Sequence, residues 1–177
     1  MNLEETKDAR VEYERRFLVS ALANWRCFVE PYSKAFEDKY LRDTRLRLRR
    51  LTDSSTGQQQ FKLNKKGASA SPYYGTITKV PLTANEYALL SSLDGRTLKK
   101  TRYYHRHLGR MFSIDVFEGE LAGLVLSEVE AESLEDLMQV EPPAYVEREV
   151  TGDDFFTGGK LCQMRREDLQ RKVPALV

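Results

Sequence analysis

Six short stretches of this chain place charge on every second residue. Val11-Glu12-Tyr13-Glu14-Arg15-Arg16-Phe17 sets Glu12, Glu14 and Arg16 two apart, and Arg45-Leu46-Arg47-Leu48-Arg49 does the same with three arginines. Lys62, Asn64 and Lys66 repeat the spacing, as do Lys100 and Arg102, the segment around Asp115, and Glu128 with Glu130. Successive side chains of a strand point to opposite faces, so each stretch has a charged face and a largely apolar one. One such stretch alone is explained by a sheet with one side in water. The set is not, because its signs segregate: Arg45, Arg47 and Arg49 repel one another where a solvent face would mix Lys with Glu. The opposite faces, with Leu46 and Leu48, Phe61 and Leu63, Ile114 and Val116, need cover. A closed barrel with its charges inside meets both demands, and eight strands leave an interior for side chains or one small ligand.

Strand-like alternation recurs at about 10–18, 36–42, 44–51, 58–66, 75–82, 98–104, 111–117 and 124–133, with turn signals between several of these segments. Many short strands and close turns favour an antiparallel barrel or sandwich. Thr83-Ala84-Asn85-Glu86 resembles a capping box that opens a helix with Tyr87, Leu89 and Leu90 as its stripe. Ser133 opens a second short helix, and residues 159–172 read as one C-terminal helix with Leu161, Met164 and Leu169 as contacts and Arg165-Arg166-Glu167-Asp168 on an exposed face. The expectation is one α+β domain over 1–177, mainly antiparallel β: a closed eight-stranded β-barrel with helices packed outside and a C-terminal helix.

With 28 Lys+Arg against 27 Asp+Glu, net charge does not indicate a nucleic-acid binder. Cys27 and Cys162 are isolated, without paired-cysteine metal spacing. No charged-then-apolar leader and no apolar run of bilayer length appears, so a cytoplasmic protein without membrane contact is expected. A homodimer is left open.

These residues resemble the CYTH, or triphosphate tunnel metalloenzyme, superfamily. Glu12-Tyr13-Glu14-Arg15-Arg16 is similar to its Glu-x-Glu-x-Lys strand, with Arg16 in place of the lysine. Arg47 and Arg49, with Arg45 as a third member, match its Arg-x-Arg strand; Lys62 through Lys66 match the lysine strand, and Lys100-Thr101-Arg102 the later Lys-x-Arg. Asp115, Glu128 and Glu130 resemble the C-terminal acidic cluster. The resemblance implies metal ligands at Glu12, Glu14, Asp115, Glu128 and Glu130, with Mg²⁺ or Mn²⁺ as the ion. It implies substrate contacts from Arg45, Arg47, Arg49, Lys62, Lys66, Lys100 and Arg102, and catalytic duty for Glu12, Glu14, Arg16, Lys100 and Arg102. Alternation places Lys62 and Lys66 inside, whereas a one-residue bulge would select Lys65. Thr76 and Thr78 stand where some relatives carry further glutamates.

In this arrangement Arg16, Arg45, Arg47, Arg49, Lys62, Lys66, Lys100 and Arg102 give eight positive charges against five carboxylates, a surplus of three. A triphosphate carries roughly four to five negative charges near neutral pH. The expected activity is metal-dependent hydrolysis of a triphosphate, inorganic triphosphate first. The alternatives are a class IV-type adenylate cyclase, a thiamine or nucleoside triphosphatase, and a non-catalytic polyphosphate-binding module. RNA is disfavoured, since paired glutamates repel a phosphate backbone. His105 and His107 are read as a surface hairpin, Trp25, Phe28 and Tyr32 as core cover or a lid with core preferred, Arg148-Glu149 as a turn with helix entry, and Lys160 as solvent-facing.

Overall fold

The computed structural model describes residues 9–174, so the expectation about a leader, which concerns residues 1–8, lies outside the described residues. Nine strands form one antiparallel sheet: β1 (Arg10–Val19), β2 (Ser33–Leu41), β3 (Leu46–Asp53), β4 (Gln59–Lys66), β5 (Tyr74–Leu82), β6 (Gly95–His107), β7 (Arg110–Phe117), β8 (Val125–Ala131) and β9 (Val146–Glu149). In the order β5-β4-β3-β2-β6-β7-β8-β1, the last strand pairs back to β5 and closes an eight-stranded barrel. The eight expected strands are all present.

The ninth strand, β9, is a correction to the turn expected at Arg148-Glu149, and it explains an opening in the wall. One edge of β1 is shared by two partners: Arg10–Tyr13 pair with β5, and Phe17–Val19 pair with β9. At the change-over, Glu14 N–H bonds the Tyr73 carbonyl at 2.9 Å and Arg16 N–H bonds Thr151 Oγ1 at 2.9 Å. The wall therefore parts beside Glu14 and Arg16.

Among the described residues four α-helices accompany the sheet: α1 (Ala84–Leu90), α2 (Leu134–Met138), α3 (Gly158–Leu161) and α4 (Arg166–Lys172). The capping box of α1 forms, with Thr83 N–H donating to Glu86 Oε2 at 2.7 Å. Its stripe is only partly used: Tyr87 packs on Phe61 with ring centroids 4.6 Å apart, while Leu89 is 75% exposed. Ser133 Oγ caps α2, accepting from Asp136 N–H, and α2 buries Leu137 against Phe17, Phe112 and Val129 on the outside of the barrel. Trp25 joins Val19, Ile114 and Tyr145 in another outer cluster, but Phe28 and Tyr32 stay largely exposed.

The C-terminal segment departs from expectation twice. It is two short helices, not one, because Asp168 accepts a hydrogen bond from Arg165 N–H at 3.0 Å and starts a new helix there. The segment also covers an end of the barrel. The inward faces of β1, β6, β7 and β8 turn apolar at Leu18, Leu98, Phe117 and Leu126, and these residues pack against Phe156, Leu161, Leu169 and Val173. Gly158 rests so close to the Tyr40 hydroxyl that a Cβ there would overlap it. No helix among the described residues is long and apolar enough to cross a membrane.

Leu161 is 1% exposed within this plug. Leu161→Ala should lower unfolding free energy by about 2–5 kcal/mol in urea titrations, whereas Leu89→Ala should change it by less than about 0.5 kcal/mol.

Candidate functional site

Alternation along the strands, carried through the observed register, sets which side chains look inward. Glu12, Glu14 and Arg16 of β1, Arg47 and Arg49 of β3, Lys66 of β4, Lys100 and Arg102 of β6, and Glu128 and Glu130 of β8 line one interior chamber. Lys62 is opposite Arg49 across the β3–β4 ladder and feels its charge, so it shares the inward face. Lys65 is opposite Leu46 and exposed, which favours the Lys62/Lys66 alternative over a bulge. Arg45 is a correction: it precedes β3 in the β2–β3 connection, exposed, and lines a surface pocket with Arg42 and Arg96 instead. Thr76 and Thr78 are also on the wrong parity, since Ile77 opposite Lys66 and Lys79 opposite Asn64 are the inward positions of β5.

The centre of the chamber is a continuous chain of ion pairs. Arg16 donates to Glu128 through Nε and to Glu14 through Nη2, each at 2.8 Å. Arg102 bonds Glu128 at 2.8 Å and grips Asp115 with two bonds of 2.6 Å. Lys100 completes the chain with an ion pair to Asp115. Burial alone would push Asp115 up, but Arg102 and Lys100 outweigh it and hold the carboxyl below its usual range. Glu128 is likewise held well down by Arg16, Lys100 and Arg102 against its burial. Lys100 is pushed down, by burial first and by the cations Arg102 and Arg49, despite the pull of Asp115. The pattern is that of a cation-rich interior.

Sequence reasoning missed the β2 contribution. Asp38 is 1% exposed and receives two bonds from Arg49, at 2.6 and 2.7 Å, with Arg47 at 3.8 Å. Phe36 carries the Arg49 and Arg102 guanidinium groups 4.6 and 5.2 Å from its ring centroid, and Tyr40 lies beside Arg47. In Phe36-Glu37-Asp38-Lys39-Tyr40 three consecutive charges hide the alternation; the aromatic residues flanking Asp38 at two-residue spacing were the usable signal.

The five carboxylates expected to act together divide into two groups. Asp115 and Glu128 each bond cations through both oxygens, so their geometry is that of holders for Lys100, Arg102 and Arg16. Glu12, Glu14 and Glu130 gather beside the wall opening. Glu14 is directly across from Glu130 in the β1–β8 ladder, a like-charge pairing that costs stability. Glu130 is pushed up by burial and then by Glu12, and it has no ion pair among the described residues. No three acidic, His or Cys side chains among the described residues are grouped closely enough to enclose a metal ion. Carboxylates repelling one another at an open site fit a hard divalent cation that takes one or two protein oxygens and completes its shell from water or a phosphate ligand, the usual habit of Mg²⁺. Of four buried side-chain polar atoms without hydrogen-bond partners among the described residues, Arg47 Nε and Asn64 Oδ1 belong to inward-facing positions and Arg15 Nε and Ser127 Oγ to outward-facing ones.

The opening beside Glu12, Glu14 and Arg16 leads into a cavity of about 440 Å³ lined by Lys66, Ser69, Pro72, Tyr74 and Thr151. His105, expected on the surface, is buried on β6 with Nδ1 3.1 Å from the Tyr145 hydroxyl, on the outer face of the barrel.

No protein-family model matches the chain. It is 29% identical over 154 residues to an inorganic triphosphatase of Nitrosomonas europaea, covering 85% of this chain and 96% of that protein. A solved inorganic triphosphatase superposes with a TM-score of 0.57 at 24% identity, over 86% of this chain and 95% of that one. A putative adenylyl cyclase from Hippeastrum, described as having a dominant triphosphatase activity, superposes with a TM-score of 0.51 at 10% identity, over 72% of this chain and 82% of that one. These likenesses establish the shared barrel fold.

Asp38 lies at about 2 in the folded chain against an ordinary 3.8, because the Arg49 bonds and the Arg49, Arg47 and Lys100 charges outweigh its burial. A carboxyl depressed on folding adds stability above its unfolded value, and the gain disappears as pH falls through the folded one. Asp38→Asn should therefore cost about 2 kcal/mol at pH 7. In urea midpoints, the difference from wild type should close between about pH 4 and about pH 2. A difference independent of pH would show that Asp38 is not held ionised.

Proposed function

We propose that this chain is a cytoplasmic, single-domain, metal-dependent triphosphatase of the triphosphate tunnel type, with inorganic triphosphate as its first substrate. The observation that carries the reading is the chamber itself, in which cations from β1, β3, β4 and β6 converge beside the Glu12, Glu14 and Glu130 carboxylates. The similarity over 85% of the chain to an inorganic triphosphatase supports it.

Arg47, Arg49, Lys62, Lys66, Lys100 and Arg102 neutralise the non-bridging oxygens and the diphosphate leaving group, and Asp38, Asp115 and Glu128 already aim four of them, Arg47, Arg49, Lys100 and Arg102. Water adds across the terminal anhydride: its oxygen bonds to the terminal phosphorus, and the bridging oxygen departs with the diphosphate. Arg16, fixed between Glu14 and Glu128, keeps those carboxylates from turning toward the phosphates. A divalent ion taking one or two oxygens from the entrance carboxylates Glu12, Glu14 and Glu130 would supply charge neutralisation and lower the pKa of its bound water.

A nucleoside triphosphate is the second reading, favoured by the cavity of about 440 Å³ at the opening, where Pro72 and Tyr74 offer a wall for a base. Release of phosphate from triphosphate, ATP and thiamine triphosphate, with cyclic AMP measured in parallel, orders these substrates. Inorganic triphosphate should give the highest kcat/KM. Replacing Glu12 and Glu14 together by Gln should reduce Mg²⁺- or Mn²⁺-dependent turnover by at least about 100-fold, with the circular dichroism spectrum unchanged. Turnover that survives in this variant rejects the metal assignment.

A further inference from the structure

The inward-facing ion pairs are unequal, and the weakest lies at the entrance. Asp38, Asp115 and Glu128 are held by buried arginines and by Lys100 deep in the chamber. Among the described residues Glu12 is held by Lys79 alone, a side chain still 49% exposed. Lys79 belongs to β5, opposite Asn64, and faces inward into the chamber that contains Glu130. Its charge also reaches Glu130, where it opposes the repulsion from Glu12 and Glu14. On its other side it repels Lys62.

We propose that Lys79 is a placeholder cation for the entrance carboxylates: it neutralises Glu12 until a divalent ion enters, then releases Glu12 and turns to the phosphate chain. The inference rests on the triphosphatase reading above and adds a residue to it. The physical basis is competition for one carboxylate. The Lys79 ammonium engages Glu12 through Oε1, and its positive charge opposes a divalent ion at either Glu12 oxygen. An exposed lysine–carboxylate pair is worth no more than about 1 kcal/mol, so it breaks readily in exchange for a divalent ion. Breaking a buried pair costs several times more, which is why Asp115 and Glu128 do not serve this purpose. Lysine suits the role better than arginine, since its point charge sits on a flexible stem and makes no bidentate grip. Once free, that stem swings within the inward face it shares with Lys62 and Asn64.

The test reads metal binding without substrate. Mn²⁺ is titrated into wild type, Lys79→Met, Lys79→Arg and Lys65→Met by calorimetry. Lys79→Met should bind Mn²⁺ about five-fold more tightly than wild type, the ratio that corresponds to losing a competitor worth about 1 kcal/mol. Lys79→Arg should bind no more tightly than wild type. Lys65→Met removes the same charge from the outward face of β4 and should leave Mn²⁺ affinity unchanged. In steady-state assays Lys79→Met should raise KM for triphosphate several-fold with kcat within about two-fold of wild type, the signature of lost substrate binding. Mn²⁺ affinity that stays level or falls in Lys79→Met, with wild-type turnover intact, overturns the placeholder role alone. Equal tightening in Lys65→Met overturns it too, by showing an effect of net charge. Absence of metal-dependent turnover in wild type would instead overturn the triphosphatase reading.

Discussion

The structure depends on one electrostatic constraint: charge placed inside a barrel must be paired before the barrel can close. Moving an ion out of water costs several kcal/mol even after relaxation, and only good geometry repays it. The chain from Glu14 through Arg16, Glu128, Arg102 and Asp115 to Lys100 meets that requirement with four strands, β1, β8, β6 and β7. Asp38 brings β2 and β3 into the same arrangement through Arg49. Most of these bonds join opposite signs on different strands, Arg102–Glu128 reaching across β7, while Arg16–Glu14 stays within β1. The sign segregation visible in the sequence is therefore a cross-strand pairing code.

The same face of the sheet performs a second task farther along. At Leu18, Leu98, Phe117 and Leu126 the inward positions change from charged to apolar, with no change of parity, and the C-terminal helices pack on them. Closing that end with apolar contacts leaves access near Glu12 and Glu14, where β1 exchanges β5 for β9. The opening is thus a consequence of topology: one strand edge cannot serve two partners without a gap between them. The carboxylates beside that gap are the ones least neutralised by arginine.

Much of this was legible because strand parity is a rigid rule. Once Glu12, Arg47, Lys100 and Glu128 share the inner face, Glu14, Arg49, Arg102 and Glu130 follow from two-residue spacing, and the register agrees. Parity failed where it had no pattern to read. Arg45 extended the arginine alternation past the start of β3, where the chain has already left the ladder. Asp38 was hidden by Glu37 and Lys39, and Lys79 by a strand with only one charge. The single C-terminal helix was overwritten by a local cap at Asp168, and β9 was too short, at four residues, to show a period. Which carboxylates hold cations and which remain available is a property of three-dimensional pairing, and the spacing of Asp115, Glu128 and Glu130 contains no trace of it.

The corrected membership also changes the charge balance. Lys79 takes the place of Arg45, so Arg16, Arg47, Arg49, Lys62, Lys66, Lys79, Lys100 and Arg102 still number eight, while Asp38 joins Glu12, Glu14, Asp115, Glu128 and Glu130 to make six carboxylates, and eight less six leaves a surplus of two. A triphosphate of roughly four to five negative charges exceeds that surplus. On the proposed reading, its binding requires further positive charge, which a divalent cation at the entrance carboxylates would provide. Metal and anion would then favour each other's binding, because each supplies the charge that the other lacks. The lowered pKa of Lys100 belongs to the same logic: burial, Arg102 and Arg49 oppose its ammonium despite the pull of Asp115 and Glu128, and a bound anion would relieve that opposition. On the triphosphatase reading, a chamber with too little positive charge for its ligand and too much for itself would bind each of metal and phosphate more tightly once the other is in place.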